Sequence, residues 1–282
     1  MSRVSATSRE RPIAVFDSGV GGLTVLHELL VALPAEDFVY LGDTARFPYG
    51  DKTHEQLRTF ALEIAEHLLA LDAKLLVVAC GSATAAALPL LRERLAGSDV
   101  DVLGVIEPAA ELAVEATRSG CIGVLATPAT VASGAFVEAI AAGDPRAHVE
   151  SVACPDLAPI IQSGFPFDER VVETVRRYVA PLREADVDTV ILGSTHYPLV
   201  APMLQRMLGR GVRLVSSGAG VVRAVERTLE PRGLLSGRAT EGAYRFHTTG
   251  DVEVFRTLGT RFLQMPLGEI ERVTLTPTEV PA

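Results

Sequence analysis

The stretch Leu75-Leu76-Val77-Val78-Ala79-Cys80-Gly81-Ser82-Ala83 returns later in the chain as Val190-Ile191-Leu192-Gly193-Ser194-Thr195-His196-Tyr197. Each copy is a short Val/Ile/Leu run, followed by small and hydroxylic residues that open a helical pattern. A second pair echoes the first, with Ile13-Ala14-Val15-Phe16-Asp17 resembling Ile122-Gly123-Val124-Leu125-Ala126. A continuous apolar run of four to six residues reads as a strand buried on both faces, which belongs in a parallel sheet covered by helices. Further runs of this kind fall at 38–41, 102–106, 149–153 and 212–215, and helical patterns lie at 23–33, 54–71, 85–95, 108–118, 167–185 and 201–208. Strand alternating with helix predicts an α/β protein with mainly parallel sheets, and the echo predicts two halves of similar plan. Open α/β sheets place ligands beyond the carboxyl ends of their strands, so the site is expected between the halves.

The composition narrows the classes. The chain has 282 residues, 48% of them hydrophobic and 22% charged, enough for a sizeable core in one large or two medium domains. A net charge of −9 leaves no basic surface for a phosphate backbone, so nucleic acid is not an expected partner. Three widely spaced cysteines, Cys80, Cys121 and Cys154, with no C-x-x-C pair, suggest neither a disulfide framework nor a metal site and fit a reducing cytoplasm. Residues 1–12 lack the apolar core of a signal peptide, 1–11 read as a disordered tail, and no segment reaches membrane-spanning length.

Four places carry chemistry. The loop Asp17-Ser18-Gly19-Val20-Gly21-Gly22 leaves a strand and opens a helix, so its amides offer an anion site. It is neither a dinucleotide fingerprint nor a P-loop, and a tight strand-helix turn is the plain reading. A buried carboxylate at Asp17 is costly unless it has a role. Cys80 stands where a helix N-terminus lowers a thiol's pKa, although a buried inert cysteine reads the same way in isolation. Ser194, Thr195 and His196 occupy the matching place in the second half, where Ser194 or Thr195 can cap a helix with Pro198 in its first turn and His196 can hold a proton. Tyr49 and Gly50 lie in a loop after the second strand, and the remaining histidines have no partners in sequence.

Taken together, residues 16–24, 42–50, 78–84, 153–155 and 192–198 resemble the signature stretches of the aspartate/glutamate racemase family, in its order and spacing over roughly residues 12–250. The resemblance implies two α/β domains, 1–106 with 214–282 and 107–213, facing each other across a cleft. It implies an isomerase that needs no cofactor, in which one cysteine removes the α-proton of glutamate and a second returns one, supplying D-glutamate for peptidoglycan. Cys80 matches the first cysteine and Ser194 stands at the second, and Asp17 and His196 complete the implied catalytic set. Ser18, Tyr49, Gly50, Gly81, Ser82, Thr127 and Thr195 match substrate-binding positions, and the partner implied is a small dicarboxylic amino acid, with a homodimer as the assembly. Four departures stand out: Ser194 for cysteine, Gly81 for an asparagine whose loss is expected to open volume, Gln162 for a glutamate, and Ser217-Gly218-Ala219-Gly220 without the acidic residues often seen there. A serine hydroxyl is a far weaker acid than a thiol and needs an activating partner, for which His196 is the candidate. Three readings follow: a racemase, a one-cysteine decarboxylase or isomerase of a related dicarboxylate, and a catalytically silent binding protein.

Overall fold

The computed structural model describes residues 8–164 and 168–278. The elements in chain order are β1 (Ile13–Asp17), α1 (Leu23–Ala32), β2 (Phe38–Gly42), α2 (His54–Leu69), β3 (Leu75–Val78), α3 (Gly81–Arg94), β4 (Asp101–Gly104), α4 (Ile106–Ala116), β5 (Cys121–Ala126), α5 (Pro128–Ala132), α6 (Ala135–Gly143), β6 (His148–Ala153), α7 (Leu157–Gln162), α8 (Glu169–Glu184), β7 (Thr189–Leu192), α9 (Ala201–Leu208), β8 (Arg213–Ser216), α10 (Ser217–Leu229), β9 (Tyr244–Thr248), α11 (Val252–Leu263) and β10 (Ile270–Arg272). A 3-10 turn, Tyr197–Val200, precedes α9. The sheets are β10-β9-β2-β1-β3-β4 and β6-β5-β7-β8, and every strand pairing is parallel.

The echo in the sequence is an echo in topology. Within the larger sheet the order β2-β1-β3-β4 repeats as β6-β5-β7-β8 in the smaller one. Beside each central strand, β1 or β5, the order reverses, and that switch point is where doubly wound sheets leave a crevice. Cys80 follows β3 and Ser194 follows β7, so the two residues hold equivalent places in the two halves.

Several elements differ from their expected bounds for physical reasons. The strand expected at 102–106 stops at Gly104, and Ile106 already opens α4 with Pro108 in its first turn, where a missing N–H costs nothing. β6 is only partly buried, because it is the edge of its sheet. The helix expected from residue 85 begins at Gly81, and its first half is buried almost throughout. The pattern at 167–185 corresponds to α8, whose N-cap Asp168 accepts from the Val171 amide at 2.9 Å, while residue 167 lies outside the described residues. Of the tail expected at 1–11, residues 1–7 also lie outside them. Its last residues are held: Arg11 donates to the Asp72 and Ala73 carbonyls, and Lys74 Nζ to the Arg9 carbonyl at 2.7 Å. Among the described residues no helix is long and apolar enough to cross a membrane.

Candidate active site

A cavity of about 350 Å³ opens between the carboxyl ends of the two sheets. Ser18, Tyr49, Gly50, Cys80, Gly81 and Ser82 line it from one side, and Thr127, Gly193, Ser194, Thr195 and His196 from the other. Of the eleven residues singled out from the sequence, the ten other than Asp17 therefore meet at one cavity. Its size suits a small ligand, and none of its lining residues is Lys or Arg. Hydroxyls and backbone amides at helix starts are the donors left to bind carboxylates there.

Asp17 is the exception. It is 0% exposed and stands behind the wall. Its Oδ1 accepts from the Gly19 amide at 2.9 Å, so the loop expected to hold an external anion partly satisfies itself. Its Oδ2 accepts from Thr195 Oγ1 at 3.2 Å, which ties the first half to the second. Burial raises the Asp17 pKa against the pull of its hydrogen bonds, and the same carboxylate raises that of Cys80.

Cys80 is 6% exposed at the head of α3. Burial pushes its thiol up to about 12, with the Asp17 charge adding to the rise, while hydrogen bonding to Ala83 and Ser18 pulls the other way. The helix N-terminus was expected to yield a reactive thiolate, but desolvation outweighs it here. Ready ionisation at neutral pH therefore requires that water or substrate enter.

Across the cavity, Ser194 is 7% exposed and its Oγ accepts from the backbone amide of His196 at 3.4 Å. The helix cap expected of Ser194 or Thr195 does not form: His196 stands at the N-cap of the turn Tyr197–Val200 with no side-chain cap bond, and the Thr195 hydroxyl is spent on Asp17. The His196 ring packs against Phe47 and Phe262, and its Nε2 donates to Gln162 Oε1 at 2.9 Å. Burial lowers its pKa to about 3, so it is neutral at pH 7 with the proton on Nε2 and the lone pair on Nδ1. A Cβ on Gly21 would lie 2.5 Å from Nδ1, so that edge of the ring packs against the loop before α1. Among the described residues the imidazole makes no hydrogen bond to the Ser194 hydroxyl, so His196 is not placed as its activating base.

Further hydroxyls bond at and across the seam. Ser82 Oγ bonds Thr127 Oγ1 at 2.8 Å, Thr127 bonds Thr130 at 3.0 Å, and Thr24 Oγ1 donates to the Thr195 carbonyl at 2.9 Å. Tyr49 lines the cavity with its hydroxyl donated backward to Asp43, a carboxylate also held by Arg46 and Thr249. Sequence reasoning missed Asp43 and Thr24, although both lie inside the quoted signature stretches. It also missed the apolar wall of Ala158 and Pro159, because a six-residue helix such as α7 leaves no periodicity to read, although Pro155 beside them lies in the quoted stretch 153–155. Nor does Gly81 open volume as expected, since a Cβ there would lie 2.7 Å from the Gly193 carbonyl oxygen.

The fold and cavity can be set beside known proteins. The Asp/Glu/Hydantoin racemase family profile matches residues 19–225. A glutamate racemase of Bacillus cereus is 40% identical over 265 residues, covering 94% of this chain and 97% of that protein. A crystal structure of a glutamate racemase isoform from Bacillus anthracis superposes with a TM-score of 0.90 at 36% identity, covering 95% of this chain and 98% of that one. The glutamate racemase of Francisella tularensis, solved in complex with D-glutamate, matches with a TM-score of 0.87 at 32% identity, covering 94% and 98%. With its doubled sheet order, its cleft between two carboxyl-end faces and these similarities over nearly its full length, the chain belongs to the Asp/Glu/hydantoin racemase family.

Proposed function

We propose that this protein is an isomerase that interconverts L- and D-glutamate by removing the α-proton on one face and returning a proton on the other, without pyridoxal phosphate. One observation carries the reading: Cys80 and Ser194 follow equivalent strands of two repeated sheets and look into one cavity from opposite sides. Two proton carriers on opposite faces of one carbon are what inversion requires. The D-glutamate complex of the Francisella relative supports glutamate as the substrate.

The roles follow from the geometry. Cys80 removes or delivers the α-proton on its face once the incoming ligand lifts its desolvation penalty. Ser194 acts on the other face, and its hydroxyl, a far weaker acid than a thiol, is better suited to giving a proton to a carbanion than to taking one from carbon. Ser18, Ser82 and Thr127, with the amides around Gly50 and Gly81, bind the carboxylates, while Thr195 lines the cavity with its hydroxyl held on Asp17. Asp17 and His196 hold the two halves in register and keep the floor of the cavity dry.

The product D-glutamate serves peptidoglycan synthesis in the cytoplasm. A homodimer is the proposed assembly, checked by light scattering on the eluting protein. The proposed domains are 1–106 with 214–282 and 107–213, with the second seam better set after Ser216, because β8 pairs with β7. Proton NMR in D2O tests the activity: both enantiomers of glutamate should lose their α-proton signal, with inversion read by polarimetry. Exchange confined to one enantiomer would replace this reading with a one-cysteine reaction, and no exchange at all would refute it.

A further inference from the structure

Three glycines of the first half meet the second half closely, two of them at distances where a side chain would force a shift. A Cβ on Gly21 would lie 2.4 Å from Thr195 Oγ1, one on Gly50 3.0 Å from Thr127 Cβ, and one on Gly81 2.7 Å from the Gly193 carbonyl oxygen. The first two would meet side chains. The third would meet backbone, which has no rotamer to turn aside.

Gly193 cannot retreat within its own half. Its amide donates to the Leu125 carbonyl at 2.7 Å, and a Cβ on Gly193 itself would lie 2.9 Å from that same oxygen and 2.9 Å from the Phe136 ring. The polar bonds that span the seam nearby are easier to give up. Ser82 with Thr127 and the Ala129 amide with the Gly50 carbonyl at 3.2 Å can exchange their partners for water if the halves part. The soft coordinate at position 81 is therefore the separation of the halves. Cys80 precedes Gly81 and Ser194 follows Gly193, so any such separation also separates the two residues that face each other across the cavity.

We propose that Gly81 is a positioning residue that permits full closure of the cleft and thereby sets the spacing between Cys80 and Ser194. The missing side chain at this position lets backbone meet backbone across the seam, where it was expected to leave room. Closure is a property of the chain itself, separate from which acid it acts on.

Gly81→Ala tests this in the full-length protein without any assay of turnover. Alanine suits the first turn of α3, so each half should fold and the melting temperature should stay within a few degrees. Two readouts report closure: the rate of Cys80 alkylation by iodoacetamide, resolved by peptide mass spectrometry against Cys121 as reference, and deuterium uptake at the Ala129 amide. Opening admits reagent and removes the burial that holds the thiol up to about 12, so both effects raise the Cys80 rate. The rate should rise about tenfold or more, the shift that about 1.4 kcal/mol of overpacking would give, and Ala129 should lose protection. Unchanged alkylation and uptake in a folded variant would overturn the proposal, and so would a variant that unfolds, since the strain would then not be relieved by separation. Ser82→Ala, which deletes a seam hydroxyl and adds no bulk, should stay within about twofold of the parent. A rise matching that of Gly81→Ala would assign closure to the hydroxyl cluster and also overturn the proposal.

Discussion

Restoring a thiol at position 194 is the sharpest perturbation of the proposed chemistry. Ser194 is buried to the same degree as Cys80, 7% against 6% exposed, so a new thiol there meets a comparable desolvation penalty. Burial pushes both buried thiols, Cys80 and Cys154, up to about 12, so burial should also raise a thiol introduced by Ser194→Cys. The serine hydroxyl it replaces is a far weaker acid still, so forming the base there costs more than forming a thiolate. Only part of that difference reaches the transition state, and a positioned general base contributes on the order of 10²- to 10⁴-fold. Ser194→Cys should therefore raise kcat for racemisation at least ~100-fold at pH 8, with KM changing little, because the hydroxyls proposed to bind the carboxylates are untouched. Circular dichroism follows inversion from each enantiomer, and NMR in D2O follows exchange in the same samples. A folded Ser194→Cys variant no faster than the parent would refute the assignment of the second proton carrier to this position.

Other consequences follow from the same geometry. Cys80→Ala should abolish α-proton exchange with both enantiomers while leaving the far-UV spectrum unchanged; exchange surviving within about tenfold would remove Cys80 from the chemistry. Thr195→Val deprives the fully buried Asp17 of a donor and should cost about 1.5–3 kcal/mol in urea unfolding. His196 stays neutral in the fold down to about 3, whereas the unfolded chain takes up its proton near 6.5. Its contribution to stability is complete above 6.5 and is lost as pH falls from there toward 3, at ~1.36 kcal/mol per pH unit, and His196→Phe should flatten that segment of the urea-midpoint profile. Asp188 is partly desolvated, but hydrogen bonds from Thr117, Arg118, Ser119 and Thr189 outweigh this and hold it below its usual 3.8. That stability is present at neutral pH and disappears as pH falls through and below 3.8, so Asp188→Ala should narrow the gap between unfolding at pH 7 and pH 3.

The parallel strands were legible because burial on both faces writes them as unbroken apolar runs. β9 escaped that reading: in Tyr244-Arg245-Phe246-His247-Thr248 the buried and exposed positions mix, and β10 has only three residues. α10 was hidden by Gly218 and Gly220, which argue against a helix by propensity. Packing explains them, since a Cβ on Gly218 would lie 2.7 Å from Glu28 Cγ and one on Gly220 2.6 Å from the Pro108 carbonyl oxygen. The same limit applied at the site. Signature stretches named the residues that meet at the cavity, yet the sense of Gly81 was inverted, because sequence records a missing side chain and not the backbone that takes its place. The roles expected of Asp17 and His196 also changed for a reason invisible in sequence: which atom each side chain bonds once the halves have closed.

Unequal proton carriers do not make an isomerase favour one direction. The two enantiomers have equal free energy in water, so the equilibrium constant is one and kcat/KM must be the same for each, whatever stands at positions 80 and 194. A weak carrier at Ser194 slows inversion both ways. Its signature lies in partitioning: Cys80 can remove a proton and return a solvent-derived one to the same face before Ser194 acts. The enantiomer whose α-proton faces Cys80 should thus exchange in D2O faster than it inverts, by a factor within the 10²- to 10⁴-fold range of a missing general base, while the other enantiomer should exchange no faster than it inverts. Ser194→Cys should pull the first ratio toward one. Equal exchange-to-inversion ratios for the two enantiomers of the parent protein would mean that both carriers are equally competent, and that the serine is activated in a way the unliganded cleft does not display.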